Sequence, residues 1–334
     1  MNLQPDRPLL RPLFILLCFA SLLCSGCAAV QRQPQIAEPI SSITPDRCEQ
    51  ELSSFLELGS RACWKPEETA ATIDFLTRKL EGWGYQVIRE PLDLPRYPGN
   101  ANLIVEKVGH SEPDQILEIG AHFDSVGNLG ADDNGSGVIG VLEAARVFST
   151  LETGRTVRFC LYACEEVGLL GSRHHVEQIL AEPDEEFVGL INFEMIGYTD
   201  TQAGSQGAPI RIPFLADLPR TGDFILVSGN FSSGWLGNRI EAHFDAYEPQ
   251  LKYYSANRIS GFFADAARSD HSPYWEAGLD AIMLTDTANF RNPHYHEDSD
   301  TIETLDFEFM ARIIRAVAAC AIDWAGHSPA PEKP

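Results

Sequence analysis

The chain is short of basic residues and of closely spaced cysteines. Its 334 residues include 25 Lys and Arg against 48 Asp and Glu, which makes the formal net charge −23 at pH 7. Because nucleic-acid binding requires a basic surface, this charge balance excludes nucleic acid as an expected partner. Beyond residue 26 no two cysteines have the C-x-x-C spacing, so a structural zinc motif built on cysteine is also excluded.

The apolar stretch near the N-terminus is short. Arg7 and Arg11 are followed by apolar residues over 13–24, a run that is too short to span a bilayer well. A basic start followed by a short apolar stretch is typical of an export signal. We therefore predict an export signal over residues 1–26 and a mature protein in the cell envelope or outside the cell.

Small residues directly precede Cys27 and resemble the cleavage box of bacterial lipoproteins. The resemblance implies that Cys27 becomes the lipid-anchored first residue of the mature chain, and that the membrane is contacted only through this anchor. Cys24 stands where such boxes usually carry leucine, so plain cleavage and release to the periplasm or medium is the alternative. Residues 27–45 are polar and contain proline, and we predict a flexible tether there.

The cysteines beyond the signal have no catalytic spacing. An oxidising compartment permits disulfides among them without requiring any. Cys48 with Cys63 is the disulfide pair that we expect. The remaining cysteines are predicted to have structural roles.

Helical and extended patterns alternate along most of the chain. The spacing predicts helices over 66–82, 137–149, 171–180 and 307–325, and strands over 85–89, 102–108, 116–121, 156–163, 188–193, 224–228 and 281–285. Such alternation predicts the α/β class, with a mostly parallel sheet covered by helices on both faces. We predict one catalytic domain over 46–328, with a Gly- and Pro-rich loop insertion at about 198–222 that borders the active site.

Acidic and imidazole side chains lie where the predicted strands end. His122 follows strand 116–121, and the Asp124 carboxylate can accept the second N–H of that imidazole. Asp132 and Asp133 lie in a turn that begins the next helix. Helix capping is one explanation for these acids. Two adjacent desolvated carboxylates repel each other, however, which favours a bound cation.

Three glutamates also follow buried strands. Glu165 and Glu166 end strand 156–163, and because consecutive side chains point in different directions, one can bind a metal while the other faces an attacking water. Glu194 ends an apolar strand that would not tolerate an unpaired acid at its edge. Further along, His294 and His296 form a His-x-His pair. These residues together predict a two-cation hydrolase site.

Six segments occur in an order that resembles a known family. They are AHFDS, GADDNGSG, EEVGLLGS, EMIGY, ARSDHSPYWEAG and HYHEDSDT. Together they resemble the co-catalytic di-zinc aminopeptidases, whose fold is shared by glutaminyl cyclases and transferrin-receptor-like proteins. The resemblance extends from about residue 66 to the C-terminal helix. It implies a three-layer αβα sandwich with a central mixed, mostly parallel sheet, two Zn²⁺ per chain and peptide substrates.

The resemblance also implies a ligand set. His122 and Glu194 would complete one zinc site, Glu166 and His296 would complete the other, and Asp133 would bridge the two. His296 is chosen over His294 because the family pattern places Asp-Thr four residues after the ligand. Glu194 stands where many secreted members carry aspartate, although a subgroup has EMIGY as here.

Two catalytic roles follow from the same resemblance. Glu165 would be the general base, and Tyr295 would hydrogen-bond the carbonyl oxygen as that oxygen gains charge, with local packing as the alternative for Tyr295. The segment Ser269-Asp270-His271 would support the ligands or form the pocket wall, unless it simply begins a helix.

Removal of N-terminal residues from peptides is the expected activity. Glutaminyl-peptide cyclisation on the same scaffold is the alternative from another enzyme class, and removal of C-terminal residues is a further exopeptidase alternative. A non-catalytic receptor-like domain is the third reading, although every expected ligand position carries a competent side chain.

Overall fold

A mixed eight-stranded sheet forms the centre of the fold in the computed structural model, which describes residues 29–208 and 219–326. The strands are β1 (Ile88–Pro91), β2 (Ala101–Lys107), β3 (Glu112–His122), β4 (Arg155–Tyr162), β5 (Glu186–Glu194), β6 (Ile225–Gly229), β7 (Tyr253–Ala256) and β8 (Ala281–Thr285). Their order is β1-β2-β4-β3-β5-β8-β6-β7. The four neighbours β4, β3, β5 and β8 run parallel, so their carboxyl ends meet at one edge of the sheet.

Helices cover both faces of this sheet. They are α1 (Pro34–Ile40), α2 (Pro45–Leu56), α3 (Pro66–Gly82), α4 (Gly137–Ser149), α5 (Leu170–Ala181), α6 (Gly234–Tyr247), α7 (His271–Glu276) and α8 (Phe307–Ala325). On β5, Leu190 belongs to the apolar cluster formed with α5 and α7, whereas Phe193 packs against Gly140 of α4. Residues three apart on a strand face opposite sides, so α4 and the α5–α7 pair form separate layers. The predicted three-layer αβα sandwich is confirmed.

The bounds of helices with regularly spaced apolar residues were predicted most accurately. The predicted bounds of α3, α4 and α8 agree with the structure, as do those of strand β8. Helix α6 was missed because its glycines weaken the helical pattern, and Gly237 is needed for close packing: a Cβ atom there would lie 2.4 Å from the Asn257 Cβ. Strand β7 is a short strand at the sheet edge, for which periodicity carries little information.

The structure differs from the predicted flexible tether. Residues Pro34–Ile40 form α1, which packs on α8 and buries Ile36 and Ile40. Just before this helix, the Gln33 backbone N–H donates to the Tyr247 hydroxyl over 3.1 Å. The two isoleucines are four residues apart and lie on one helix face, so a segment with little local signal is ordered by burial against the domain.

The N-terminal predictions lie mainly outside the described residues. The export signal over 1–26 and the lipidation of Cys27 fall there, so both stay predictions. In the two described ranges, every helix is too short or too polar to cross a bilayer.

The expected Cys48–Cys63 pair does not form. All five cysteines in the described residues are free thiols. Cys48 lies on α2, whereas the Cys63 side chain forms a hydrogen-bond contact with Cys164 at the end of β4. Proximity along the chain was a poor guide, because the tertiary fold brings Cys63 to a more distant thiol.

The described parts of the loop insertion contact the wall of the cavity described below. Residues 209–218 are outside the described range. The Gln206 side-chain amide donates to the Thr287 hydroxyl over 2.8 Å, and the Gly207 N–H donates to the Phe290 carbonyl over 2.6 Å. Because Thr287 and Phe290 line the cavity described below, the insertion supports the cavity wall.

Candidate metal centre

The acidic and imidazole side chains converge at the carboxyl edge of the parallel strands. His122 is the last residue of β3 and Glu194 is the last residue of β5, while Glu165 and Glu166 follow β4. Two further residues reach the same place from loops: Asp133 from the turn before α4, and His296 from the connection between β8 and α8.

These residues form two triads that share Asp133. In the first, the His122 Nε2 atom lies 3.5 Å from Asp133 Oδ1 and 3.4 Å from Glu194 Oε2. In the second, the His296 Nε2 atom lies 3.2 Å from Asp133 Oδ2 and 3.2 Å from Glu166 Oε2. The two Asp133 oxygens therefore face different triads, which is the geometry of a bridging carboxylate.

The spacing fits a pair of zinc ions. In a tetrahedral zinc site with ligand distances of about 2.1 Å, neighbouring ligand atoms are about 3.4 Å apart. The four nitrogen-to-oxygen distances given above lie close to this value. In addition, the buried His122 Nε2 and Glu166 Oε1 atoms have no hydrogen-bond partner in the protein. Buried polar atoms without partners are unfavourable, and a coordinated cation would satisfy both.

The electrostatics of the triads also favour cations. Burial alone would lower the pKa of His296, but hydrogen bonds with Asp133 and Glu166 outweigh it and raise the pKa to about 10. Burial raises the pKa of Glu166 to about 7, and the charge of Asp133 acts in the same direction. The acids are thus crowded into one buried site, where a divalent cation would relieve their repulsion.

Glu165 lies beside the two triads that share Asp133, and it also forms a donor group with His122 and Glu166. Its Oε2 atom is 3.9 Å from His122 Nε2, farther than the oxygens of Asp133 and Glu194, and its side chain lines the cavity. Burial raises the pKa of Glu165 well above its ordinary value, and the carboxylate of Glu194 adds to the effect. A carboxyl group held beside the ligands in this way is suited to proton transfer.

The surroundings of His122 differ from the prediction. The Nδ1 atom of His122 lies 3.2 Å from the backbone carbonyl oxygen of Asp124, which accepts its N–H, and 3.6 Å from the Asp124 carboxylate. That carboxylate instead accepts the backbone N–H groups of Glu165 and Glu166, over 3.0 and 3.3 Å. Asp124 therefore links the end of β3 to the turn after β4.

One supporting acid, Asp300, was not assigned a role from sequence. Asp300 accepts the backbone N–H groups of Asp132 and Asp133 over 2.9 and 3.1 Å, and so holds Asp133 in its turn. Asp300 lies in a segment that the sequence singled out, but only the fold shows that its carboxylate points to that turn.

The Ser269-Asp270-His271 segment contacts a member of the first triad. The Ser269 hydroxyl donates to Glu194 Oε2 over 2.6 Å and accepts from the Asn192 side-chain amide over 2.9 Å. The expectation of outer support for the ligands therefore agrees with the geometry, although the same segment also begins α7.

The two histidines of the His-x-His pair have different environments. His294 Nδ1 contacts the Ser299 hydroxyl at 2.8 Å, away from the triads. Between them, Tyr295 stacks on His296 with ring centroids 3.8 Å apart and lines the cavity. Its hydroxyl accepts a hydrogen bond from the Arg268 guanidinium over 3.1 Å.

Three residues next to the centre have left-handed backbone conformations. The φ angles are 60° at Cys164, 51° at Met195 and 62° at His296. Such conformations are unfavourable for residues other than glycine and persist where the surroundings enforce them. At Cys164 and Met195 the chain changes direction just after strands β4 and β5, and at His296 it changes direction in the loop that reaches the triads.

An open cavity extends from the triads. Asp133, Glu165 and Glu194 form its acidic end. The remaining wall is largely apolar and includes Leu226, Ile259, Phe263, Met283 and Phe290. The cavity can therefore accept a molecule with a cationic end beside the carboxylates and an apolar side chain along the wall.

Arg61 supports the segment that leads from His122 to Asp133. Its fully buried guanidinium donates to the backbone carbonyls of Phe123 and Gly130 over 2.8 and 2.9 Å, and to that of Leu129. The Arg61 backbone N–H also donates to the Ser125 hydroxyl over 3.2 Å. One side chain thus fixes both ends of the segment.

Replacing Arg61 with methionine should lower the free energy of unfolding by roughly 3 kcal/mol or more, because three buried carbonyls lose a charged donor. Urea denaturation in the presence of a chelator measures the free energy of unfolding without a contribution from bound metal. The matched control is Arg89→Met, an exposed arginine 3.4 Å from Asp74, for which we expect a change below about 0.5 kcal/mol. Equal losses in the two variants would show that Arg61 does not support the segment.

Comparison with known proteins agrees with this geometry. The sequence model of Peptidase family M28 matches residues 102–321, a range that contains every member of both triads. Over 236 residues the chain is 36% identical to the uncharacterized protein YfbL of Escherichia coli K12, covering 67% of this chain and 72% of that protein.

Two further relatives carry names that state an activity. Leucine aminopeptidase 1 of Trichophyton equinum is 26% identical over 337 residues, covering 90% of this chain and 82% of that protein. The structure of BSAP, a zinc aminopeptidase from Bacillus subtilis, superposes with a TM-score of 0.53 at 25% identity, covering 68% of this chain and 50% of that one. The similarity therefore extends well beyond single motifs.

Proposed function

This chain belongs to peptidase family M28, and we propose that it is a zinc-dependent aminopeptidase with two metal ions per chain. The observation that carries the proposal is the pair of donor triads sharing Asp133, with Glu165 beside them. One zinc ion would be held by His122, Asp133 and Glu194, and the other by Asp133, Glu166 and His296. Imidazole and carboxylate donors are a common ligand set for zinc.

The reaction would be hydrolysis of the first peptide bond. When bound, the two zinc ions would acidify a water molecule and polarise the scissile carbonyl group. Glu165 would take a proton from the attacking water and pass it to the nitrogen of the leaving amine. Tyr295 would hydrogen-bond the carbonyl oxygen as negative charge develops on it.

Recognition of a free amino terminus is inferred from the acidic end of the cavity together with the relatives. Asp133, Glu165 and Glu194 line this end. Although Asp133 and Glu194 would bind zinc, Glu165 remains a carboxylate that a substrate amine can approach. The zinc aminopeptidase and the leucine aminopeptidase among the relatives support the same choice. Glutaminyl cyclisation is the rival, because it also requires a free N-terminal amine.

A substrate panel tests the proposal. The zinc-loaded protein is given Leu-Gly-Gly, its N-acetylated form and Gln-Gly-Gly, and its metal content is measured in parallel. Free leucine from the first peptide alone, with two zinc ions per chain, is the expected result. Ammonia and a cyclised N-terminus from Gln-Gly-Gly would favour the cyclase. Release of the C-terminal glycine from the blocked peptide would favour a carboxypeptidase. Failure to bind zinc would favour a non-catalytic domain.

The apolar cavity wall predicts the preferred first residue. A leucyl side chain buries three more carbons than an alanyl side chain against Leu226, Phe263 and Met283. At about 0.8 kcal/mol per buried carbon, kcat/KM for leucyl p-nitroanilide should exceed that for the alanyl compound by roughly 10- to 50-fold. Aspartyl p-nitroanilide should be the poorest substrate. Equal rates for the three compounds would contradict an apolar first subsite.

We also propose export and lipidation at Cys27, on the basis of the N-terminal sequence. In a bacterial host, the chain should then fractionate with membranes, and Cys27→Ser should release it. Mass spectrometry of the N-terminus gives the modification directly. A chain that begins at Met1 and stays in the cytoplasm would contradict export, whereas an exported chain cut near residue 27 without lipid would favour plain secretion.

A further inference from the structure

Two buried thiols lie together directly behind the metal centre. Cys63 and Cys164 have exposed fractions of 1% and 0%, are both free, and their side chains form a hydrogen-bond contact. Cys63 precedes α3, whereas Cys164 follows β4 and is followed directly by Glu165 and Glu166. The contact therefore joins the N-terminal part of the domain to the turn that carries the base and a ligand.

The backbone on each side of the contact is held by neighbouring residues. The Asn100 side-chain amide donates to the Cys63 carbonyl over 2.8 Å. Two residues on, the Asn102 side-chain oxygen accepts the N–H of Ala163, next to Cys164, over 3.0 Å. Both asparagines lie at the start of β2, which therefore aligns the two cysteine-bearing segments beside each other.

A second set of bonds aligns the same two segments from the other side. The Arg61 backbone N–H donates to the Ser125 hydroxyl, and the Glu165 backbone N–H donates to the Asp124 carboxylate. Arg61 lies two residues before Cys63, and Glu165 directly follows Cys164. Both are thus hydrogen-bonded to adjacent residues, Ser125 and Asp124. These bonds hold the two cysteine-bearing segments beside each other.

We propose that Cys63 and Cys164 form a disulfide that ties the segment before α3 to the turn carrying Glu165 and Glu166. The two thiols would lose two protons and two electrons, and one bond would form between their Sγ atoms. The oxidant would be a disulfide compound, which is reduced to two thiols in the exchange. An export compartment would supply such an oxidant, and oxidised glutathione serves in the test.

The cross-link would constrain a large part of the chain. It would close a loop of about 100 residues that contains β1, β2, β3, α3 and α4, together with His122 and Asp133. Loops of this length lose much conformational freedom in the unfolded state when closed. The turn at Cys164, with its left-handed φ of 60°, would be held in place by a covalent bond as well as by packing.

Peptide mapping tests the bond in the full chain. One zinc-loaded sample is isolated after export to the periplasm of an expression host. Another is made in the cytosol, unfolded in urea and refolded with zinc and oxidised glutathione, because both thiols are buried in the folded protein. Free thiols are alkylated in denaturant at low pH before proteolysis and mass spectrometry. We expect a peptide pair joined through Cys63 and Cys164 that disappears on reduction. Alkylation of both residues in both samples, or a Cys48–Cys63 bond, would overturn the proposal.

Stability provides the second measurement. The oxidised protein should melt at least about 5 °C above the reduced protein. This difference in melting temperature should vanish in Cys63→Ser and in Cys164→Ser. One of these two variants suffices if the other does not fold. The difference should persist in the control Cys48→Ser, which changes another buried thiol. A difference that persists without Cys63 or Cys164, or is absent although the bond is found, would overturn the structural role.

Discussion

Replacing Glu165 with glutamine is expected to lower kcat for peptide hydrolysis by roughly 10²- to 10⁴-fold while two zinc ions remain bound. Glutamine has nearly the same size but cannot accept a proton. The hydrogen bond between residue 165 and Asp124 uses the backbone N–H, so the substitution leaves it intact. Steady-state kinetics on leucyl p-nitroanilide measures turnover, and elemental analysis of the dialysed protein measures zinc.

The control for this substitution is Glu297→Gln. Glu297 is exposed and follows His296 directly, so the variant removes one nearby negative charge without changing a group in the cavity. Its turnover should stay within about twofold of the parent, because screened surface charges have small effects. If Glu165→Gln loses zinc, Glu165 is a ligand, and if it keeps full turnover, the base is another residue.

Replacing Asp133 with asparagine should have a different signature, in which metal is lost along with activity. Asp133 directs one oxygen to His122 and the other to His296. Asparagine keeps one acceptor oxygen and presents an NH₂ group, a donor that cannot coordinate a cation, to the other triad. We expect zinc to fall from two ions to one or fewer per chain, and kcat/KM to fall by at least about 100-fold.

Asp132→Asn is the matched control, because it changes the neighbouring acid in the same turn. Asp132 faces away from the triads, where its carboxylate accepts from the Gly197 N–H over 2.9 Å and from the Asn292 amide over 2.8 Å. Asparagine at this position keeps only one of these two acceptors, which lowers the stability of the fold but changes no group that faces the triads. This variant should retain two zinc ions. Two bound zinc ions in Asp133→Asn would refute the bridging role.

The ligand positions could be predicted because their signal is local. His122, Glu166 and Glu194 each stand directly at or after the end of an apolar strand, and parallel strands bring such ends together. The choice of His296 over His294 also depended on short-range sequence, namely the Asp-Thr pair that follows. Asp300 of that pair holds the Asp133 turn through two backbone N–H groups, which gives the pattern a physical reason.

A buried polar network beneath the centre could not be predicted. His175 on α5 lies between Glu90 and Glu118, with nitrogen to oxygen distances of 2.9 and 3.1 Å, and the Arg158 guanidinium donates to Glu118 over 3.1 Å. Tyr274 of α7 donates to the same carboxylate over 2.7 Å. These residues come from five separate elements, and each appears in the sequence as an ordinary charged or polar residue.

Sequence alone determined the class of fold, the edge of the sheet at which chemistry is possible and the side chains present there, because apolar periodicity and strand-end motifs are short-range properties of the chain. Tertiary structure decided which Asp133 oxygen faces which triad and that the Asp124 carboxylate accepts backbone N–H groups. It also decided that α1 packs on the domain and that Cys63 contacts Cys164 instead of Cys48. Each of these depends on the distance between atoms that are far apart along the chain, and only the packed layers set such distances.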